Sequence, residues 1–179
     1  MSLAPSTAEA AQAPLYEEPT VRILGRTLPK AGGVERVAWA IFFVGLVTIF
    51  SVARHLVPDR RGIGTHEQIP LIGGNMPPCG FVEWSKVTFG KPYPCPSCGF
   101  TTTFAFAAHG QILSAIKNQP FGFLVVCVFA ALIPVSLLCA IGQVSPLRAT
   151  DHWPWKWILA GLAVFWLSAW LYKMRMLTG

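Results

Sequence analysis

The sequence predicts an all-α integral membrane protein: three transmembrane helices, with a cysteine-containing loop and short interfacial helices between the first and second. Three observations carry that prediction. Of 179 residues, 53% are hydrophobic and only 12% are charged, where soluble domains carry roughly a quarter. Three runs are apolar and uncharged over lengths near the roughly 17–25 residues that cross a bilayer. Finally, Lys and Arg sit at the ends of those runs rather than in one mass. The net charge of +6 therefore reads as flanks of membrane helices and not as a nucleic-acid footprint. The expected partners are the lipid bilayer and a membrane protein complex, with no nucleic acid.

Residues 1–34 are rich in Ala, Pro, Ser and Glu without apolar period and predict a flexible tail. Residues 35–176 then form a single membrane domain. The first span is expected over 37–56, with Arg36 and Arg54 bracketing its uncharged core. Residues 58–119 hold the cysteine loop and the interfacial helices. Gly62, Gly64, Gly73, Gly74 and Gly90 punctuate its first half. Its apolar residues, Phe81, Trp84 and Val87 among them, point to a small module against the headgroups with one or two helical turns over 81–87. The second span is expected over 120–143, opened by Pro120 in a first-turn position. Pro134 inside it frees a carbonyl and predicts a bend. The third span is expected over 155–173, with Trp153, Trp155 and Trp157 at one end and Trp170 and Tyr172 at the other, as interfacial anchoring places aromatic rings. Of the Lys and Arg residues, six fall on the side of the N-terminus and eight on the side of the cysteine loop, so charge alone assigns no orientation.

The chemistry concentrates between Pro92 and Pro120. Two of the five cysteines, Cys127 and Cys139, lie in an apolar run and read as small hydrophobes. Cys79, Cys95 and Cys98 remain. Pro94 and Pro96 stiffen the chain around Cys95, and Gly99 permits a sharp turn. One of Thr101, Thr102 and Thr103 is expected to cap a helix running to about 108. Cys98 would then stand at a helix start, where the dipole favours a thiolate.

Three readings follow for these thiols. A structural disulfide could join Cys79 to one of the pair. A metal site, with zinc as the candidate ion, could use Cys79, Cys95 and Cys98 at C-x15-C-x2-C spacing, with His109 or His66 as fourth ligand. His109 would lie about two helical turns away, roughly 12 Å along the axis, which argues against it and for a histidine capping the helix before Gly110. The third reading is a redox dithiol at Cys95 and Cys98; no βαβ pattern surrounds it, so the fold is not that of thioredoxin. Beyond Gly110, Ile112, Leu113 and Ile116 share one face of a short interfacial helix or half-inserted hairpin.

Taken together, Cys95-Pro96-Ser97-Cys98-Gly99-Phe100-Thr101, His109-Gly110 and Asn118-Gln119-Pro120, with Cys79 upstream, resemble the DUF2752 family of small bacterial membrane proteins of unknown function. The resemblance runs over about 37–172 and implies a multi-pass protein of the bacterial inner membrane, with motif support from Pro96, Gly99, Thr101, His109, Gly110 and Pro120. Three positions depart from the family pattern. Thr102 stands where an Arg commonly follows the motif threonine, Gln111 where an Asp often follows His-Gly, and Gln119 splits the Asn–Pro pair. The preferred functional reading is a non-enzymatic scaffold or accessory subunit of a membrane complex with a structural cysteine loop. The alternatives are a membrane thiol–disulfide oxidoreductase using Cys95 and Cys98, and a cysteine-ligated zinc module.

Overall fold

A computed structural model of the chain describes residues 20–23, 26–142, 145 and 153–178. The expected tail lies outside the described residues over 1–19, as does most of the connection between the second and third spans. Residues Thr20–Ile23 (β1) and Arg26–Pro29 (β2) pair as an antiparallel hairpin. The chain then enters three helices long and apolar enough to cross a membrane: α1 (Gly33–His55), α5 (Pro120–Gly142) and α6 (Trp155–Thr178). Between α1 and α5 lie a 3-10 turn (Thr65–Gln68), a two-residue hairpin of β3 (Pro70–Leu71) with β4 (Gly74–Asn75), and three short helices. These are α2 (Gly80–Phe89), α3 (Phe100–Ala108) and α4 (Ile112–Asn118). The protein is an all-α membrane protein; among the described residues the two small hairpins are the only sheet.

α1 packs chiefly on α5, and α3 wedges between them. The two long helices run antiparallel. At one end the Arg36 Nε–H donates to the Ala140 carbonyl (3.1 Å), and the Ser145 hydroxyl donates to the Glu35 carboxylate (2.6 Å). At the other end Ala53, Phe104 and Val126 form a buried cluster with Phe50 and Phe129 against it, the Phe104 ring lying 5.7 Å from both Phe50 and Phe129. Such aromatic pairs add roughly 0.5–1.5 kcal/mol beyond their area. Outside this wedge the long helices expose Val37, Ile41, Val44, Leu138, Ile141, Leu159 and Val164. In water a belt of that extent would mark an interface; here it is the lipid-facing surface.

α5 continues through Pro134 to Gly142. α2 matches the turns expected over 81–87 and extends them at both ends. In α4 the buried residues are Ala115 and Asn118, while Ile112, Leu113 and Ile116 stand exposed. The apolar stripe of α4 therefore faces the lipid boundary, and its small and polar residues face the protein.

Candidate functional site: a three-thiol centre at the membrane face

The cysteine turn is fastened from three directions and by bonds of its own. From α2, the Ser85 hydroxyl accepts the Tyr93 N–H (2.8 Å) and donates to the Val82 carbonyl (2.8 Å), which fixes the approach to Pro94. From α6, the Trp170 Nε1–H donates to the Pro94 carbonyl (2.9 Å). From the α4–α5 junction, the Gln119 amide donates to the Pro96 carbonyl (3.2 Å), and the Asn118 amide donates to the Gly99 carbonyl (3.0 Å) and the Thr103 hydroxyl (2.9 Å). Within the turn itself the Cys98 N–H donates to the Cys95 carbonyl and the Phe100 N–H to the Ser97 carbonyl.

Gly99 carries the turn into α3 at a left-handed φ of 94°. A Cβ there would lie 2.7 Å from the Gly62 carbonyl oxygen and 3.2 Å from the Asn118 amide nitrogen, so glycine is required on conformational and steric grounds. This corrects the expected threonine cap. Gly99 itself is the N-cap, without a side-chain hydrogen bond, and all three threonines lie inside the first turn. There the Thr103 hydroxyl donates back to the Gly99 carbonyl (2.9 Å), and Thr102 bonds to the hydroxyl of buried Thr65 (2.8 Å). Thr101 faces an apolar pocket shared with Thr48, Val52 and Phe129.

The result is a cluster of thiols. The Sγ atoms of Cys79, Cys95 and Cys98 all lie within 4.8 Å of one another. Cys79 occupies the N-cap position of α2, its carbonyl accepting the Val82 and Glu83 N–H groups. The Cys95 and Cys98 sulfurs approach to 2.9 Å, and Cys95 Sγ also meets the Ser97 hydroxyl at 3.3 Å. Cys98 is buried, whereas Cys79 and Cys95 are partly exposed.

The protonation preferences invert the sequence expectation. Burial, then the hydrogen bonds of the Cys95 and Cys79 thiols, pushes Cys98 well above the ordinary thiol range. Cys95 is also raised by burial, but hydrogen bonds from Cys98, Ser97 and Cys79 outweigh that and hold it below. The helix-start argument favoured Cys98; burial and two thiol neighbours overrule it, and Cys95 is the more acidic of the pair.

The two histidines separate cleanly. His109 is the C-cap of α3, its Nδ1 bonded to the Ala105 carbonyl at 2.8 Å. It is turned away from the thiols, before Gly110 at φ 76°. His66 instead lines a pocket of about 80 Å3 with Cys79, Cys98, Glu67 and Glu83. Pro120 is the first residue of α5, as expected. Cys127 is exposed and Cys139 buried, each within α5 and away from the cluster.

One supporting residue gave no signal in the sequence. Lys173 looks like the charged flank closing the third run, but it is 2% exposed and turned inward. Its ammonium donates to the Gly62 carbonyl (3.1 Å), the Asn118 carbonyl (3.2 Å) and the Asn118 side-chain oxygen (2.5 Å). Asn118 thereby joins α6, the Gly62 loop and the cysteine turn in one network.

A family model described as a protein of unknown function, DUF2752, matches residues 90–133, which supports the family assignment made on the motif. The match spans the cysteine turn, α3, α4 and the first half of α5; Cys79 lies outside it. No curated protein and no solved structure matches the chain.

Proposed function

We propose that the protein is a non-enzymatic membrane scaffold whose extramembrane cap is locked by a three-thiolate metal centre at Cys79, Cys95 and Cys98, with zinc as the ion. One observation carries this: three sulfurs from two separate segments lie within 4.8 Å of one another. Two thiolates on one tetrahedral zinc stand about 3.8 Å apart, given Zn–S bonds of roughly 2.3 Å. A single disulfide needs two sulfurs and leaves the third without a role, whereas a metal uses all three. His66 shares a pocket with Cys79 and Cys98 and is the histidine candidate for a fourth ligand, although its ring nitrogens do not join the three-sulfur group; His109 is committed to its own helix end. Non-catalysis is favoured by Lys173. Intramembrane ionisable groups usually mark a transport or proton path, but here all three ammonium protons are engaged by Gly62 and Asn118.

The 2.9 Å approach of Cys95 and Cys98 favours a second reading, a thiol–disulfide exchange pair in which the more acidic, partly exposed Cys95 reacts first. One experiment separates the two. The full chain is purified in detergent without chelator, and its metal content and intact mass are measured before and after reductant. The zinc reading expects about one ion per chain, lost in Cys95→Ser and in Cys79→Ser, and a mass unchanged by reductant. A metal-free protein that gains about 2 Da on reduction overturns it in favour of the disulfide pair.

A further inference from the structure

A second site lies beside the cysteine turn, sharing Arg61 with the small pocket that Cys79 and Cys98 line, but it rests on none of the chemistry assigned to the thiols. Where the loop after α1 meets α4 and the end of α6, a pocket of about 530 Å3 opens. Among the described residues its charged lining is Arg60, Arg61, Lys117 and Lys173, all cationic, with no acidic residue. Arg61 is neutralised in part by its 2.7 Å ion pair with Asp59. Lys173 is buried, its protons committed to Gly62 and Asn118, so it contributes charge to the floor without a spare donor. Arg60 and Lys117 are exposed and form no ion pair among the described residues. Gln111 and Ser114 add neutral hydrogen-bonding groups, and Phe106, Met176 and Leu177 make one wall apolar.

A concave, cation-lined space with one greasy wall, level with the ends of α1 and α6, has the chemistry of an anionic headgroup site. In such a site the buried Lys173 would attract a phosphate, the exposed Arg60 and Lys117 would be the donors for its oxygens, and the apolar wall would accept what is attached to it. Basic residues near a membrane surface add about 1 kcal/mol each toward anionic lipid, and basic pockets between membrane helices hold phosphorylated headgroups. We propose that this pocket binds a phosphate-bearing anion through Arg60 and Lys117 over a buried Lys173, with an anionic phospholipid or free phosphate as the source of that group.

The test uses the full chain in neutral detergent, titrated separately with short-chain phosphatidylglycerol, short-chain phosphatidylcholine and inorganic phosphate. Binding of phosphatidylglycerol well above that of phosphatidylcholine is expected, together with an Arg60→Gln/Lys117→Gln double variant that binds about 30-fold more weakly, two basic residues at about 1 kcal/mol each. Lys91→Gln, on the same face but outside the pocket, is expected to bind as the parent does. Inorganic phosphate that competes at equal concentration assigns the site to free phosphate; phosphate without effect assigns it to lipid. Equal binding of the two lipids with no phosphate binding, or a double variant that binds like the parent while keeping its melting temperature, overturns the proposal. Arg60 and Lys117 make no described side-chain hydrogen bond, and the Tyr172 hydroxyl donates to the Lys117 main-chain carbonyl, so the double variant retains the contacts that hold the fold.

Discussion

At the scale of single residues, the cysteine turn is a set of close approaches in which hydrogen atoms stand where side chains would not fit. Gly99 and Gly62 face each other across the Asn118 amide: a Cβ on Gly99 meets the Gly62 carbonyl, and a Cβ on Gly62 meets both Asn118 and Lys173. Gly110 offers the contrast. It too has a positive φ, 76°, but nothing lies within 4 Å of the position its Cβ would take. The two substitutions to alanine should therefore separate strain from collision. Gly110→Ala is expected to cost about 1–2 kcal/mol, the price of a left-handed L-residue alone. Gly99→Ala adds a clash against backbone, which cannot rotate away, at a further 1–3 kcal/mol or so. Denaturant unfolding in micelles reads the difference; equal losses for the two variants would show that the approach of Gly99 to Gly62 and Asn118 is not tight.

At the scale of elements, α6 is held to the rest of the protein by polar contacts at its C-terminal end more than by broad packing. Trp170 bonds to Pro94, Tyr172 to the Lys117 carbonyl, and Lys173 to Gly62 and Asn118. These contacts differ in what their loss leaves behind. Trp170→Phe removes one hydrogen bond and keeps an aromatic ring, an expected cost of about 1 kcal/mol. Asn118→Ala strips the Lys173 ammonium of its side-chain acceptor and removes two donors to the turn. Removing a neutral acceptor from a buried charge costs about 1.5–3 kcal/mol, and the two lost donors to the turn add to it, so this variant should be the most damaging in the α4–α6 contact. Comparable melting temperatures for the two variants would show that Lys173 finds another acceptor. This network also marks where sequence reading stopped. The spans, α2, the Gly110 break and the Pro120 start were legible because hydrophobic runs and turn residues act locally. Lys173 was not, because a lysine after an apolar run looks the same whether it reaches out to water or turns inward. What decides is Gly62, 111 residues away, and Asn118, 55 away. The thiol acidities were hidden for a related reason: the helix start is a local feature, but the burial that raises Cys98 most, and after it the Cys95 and Cys79 thiols, come from the folded packing around the turn.

At the scale of the whole molecule, the connections dictate which parts share a compartment. α1 ends beside the cysteine loop, and α5 begins there and returns antiparallel, its far end meeting Glu35 and Arg36. α6 then crosses back, so that Trp170 and Lys173 reach the cysteine turn and the Gly62 loop. Three crossing helices put the start of α1 and the end of α5 on one side, and the cysteine loop and the end of α6 together on the other. The contacts between helix ends fix which segments lie together. Compartment-sensitive reporters inserted at Gly80 and fused after Gly179 should therefore give the same signal, and one fused before Met1 the opposite. Discordant reporters at Gly80 and the C-terminus would remove α6 as a span and, with it, the hydrogen bonds that pin the turn. The compartment in which the two agree also bears on the thiol centre, because structural disulfides persist on oxidising faces while thiols stay reduced in the cytosol. A cytosolic reading would favour the metal-bound form, and an oxidising one would sharpen the competition between zinc and a Cys95–Cys98 disulfide for the same sulfurs.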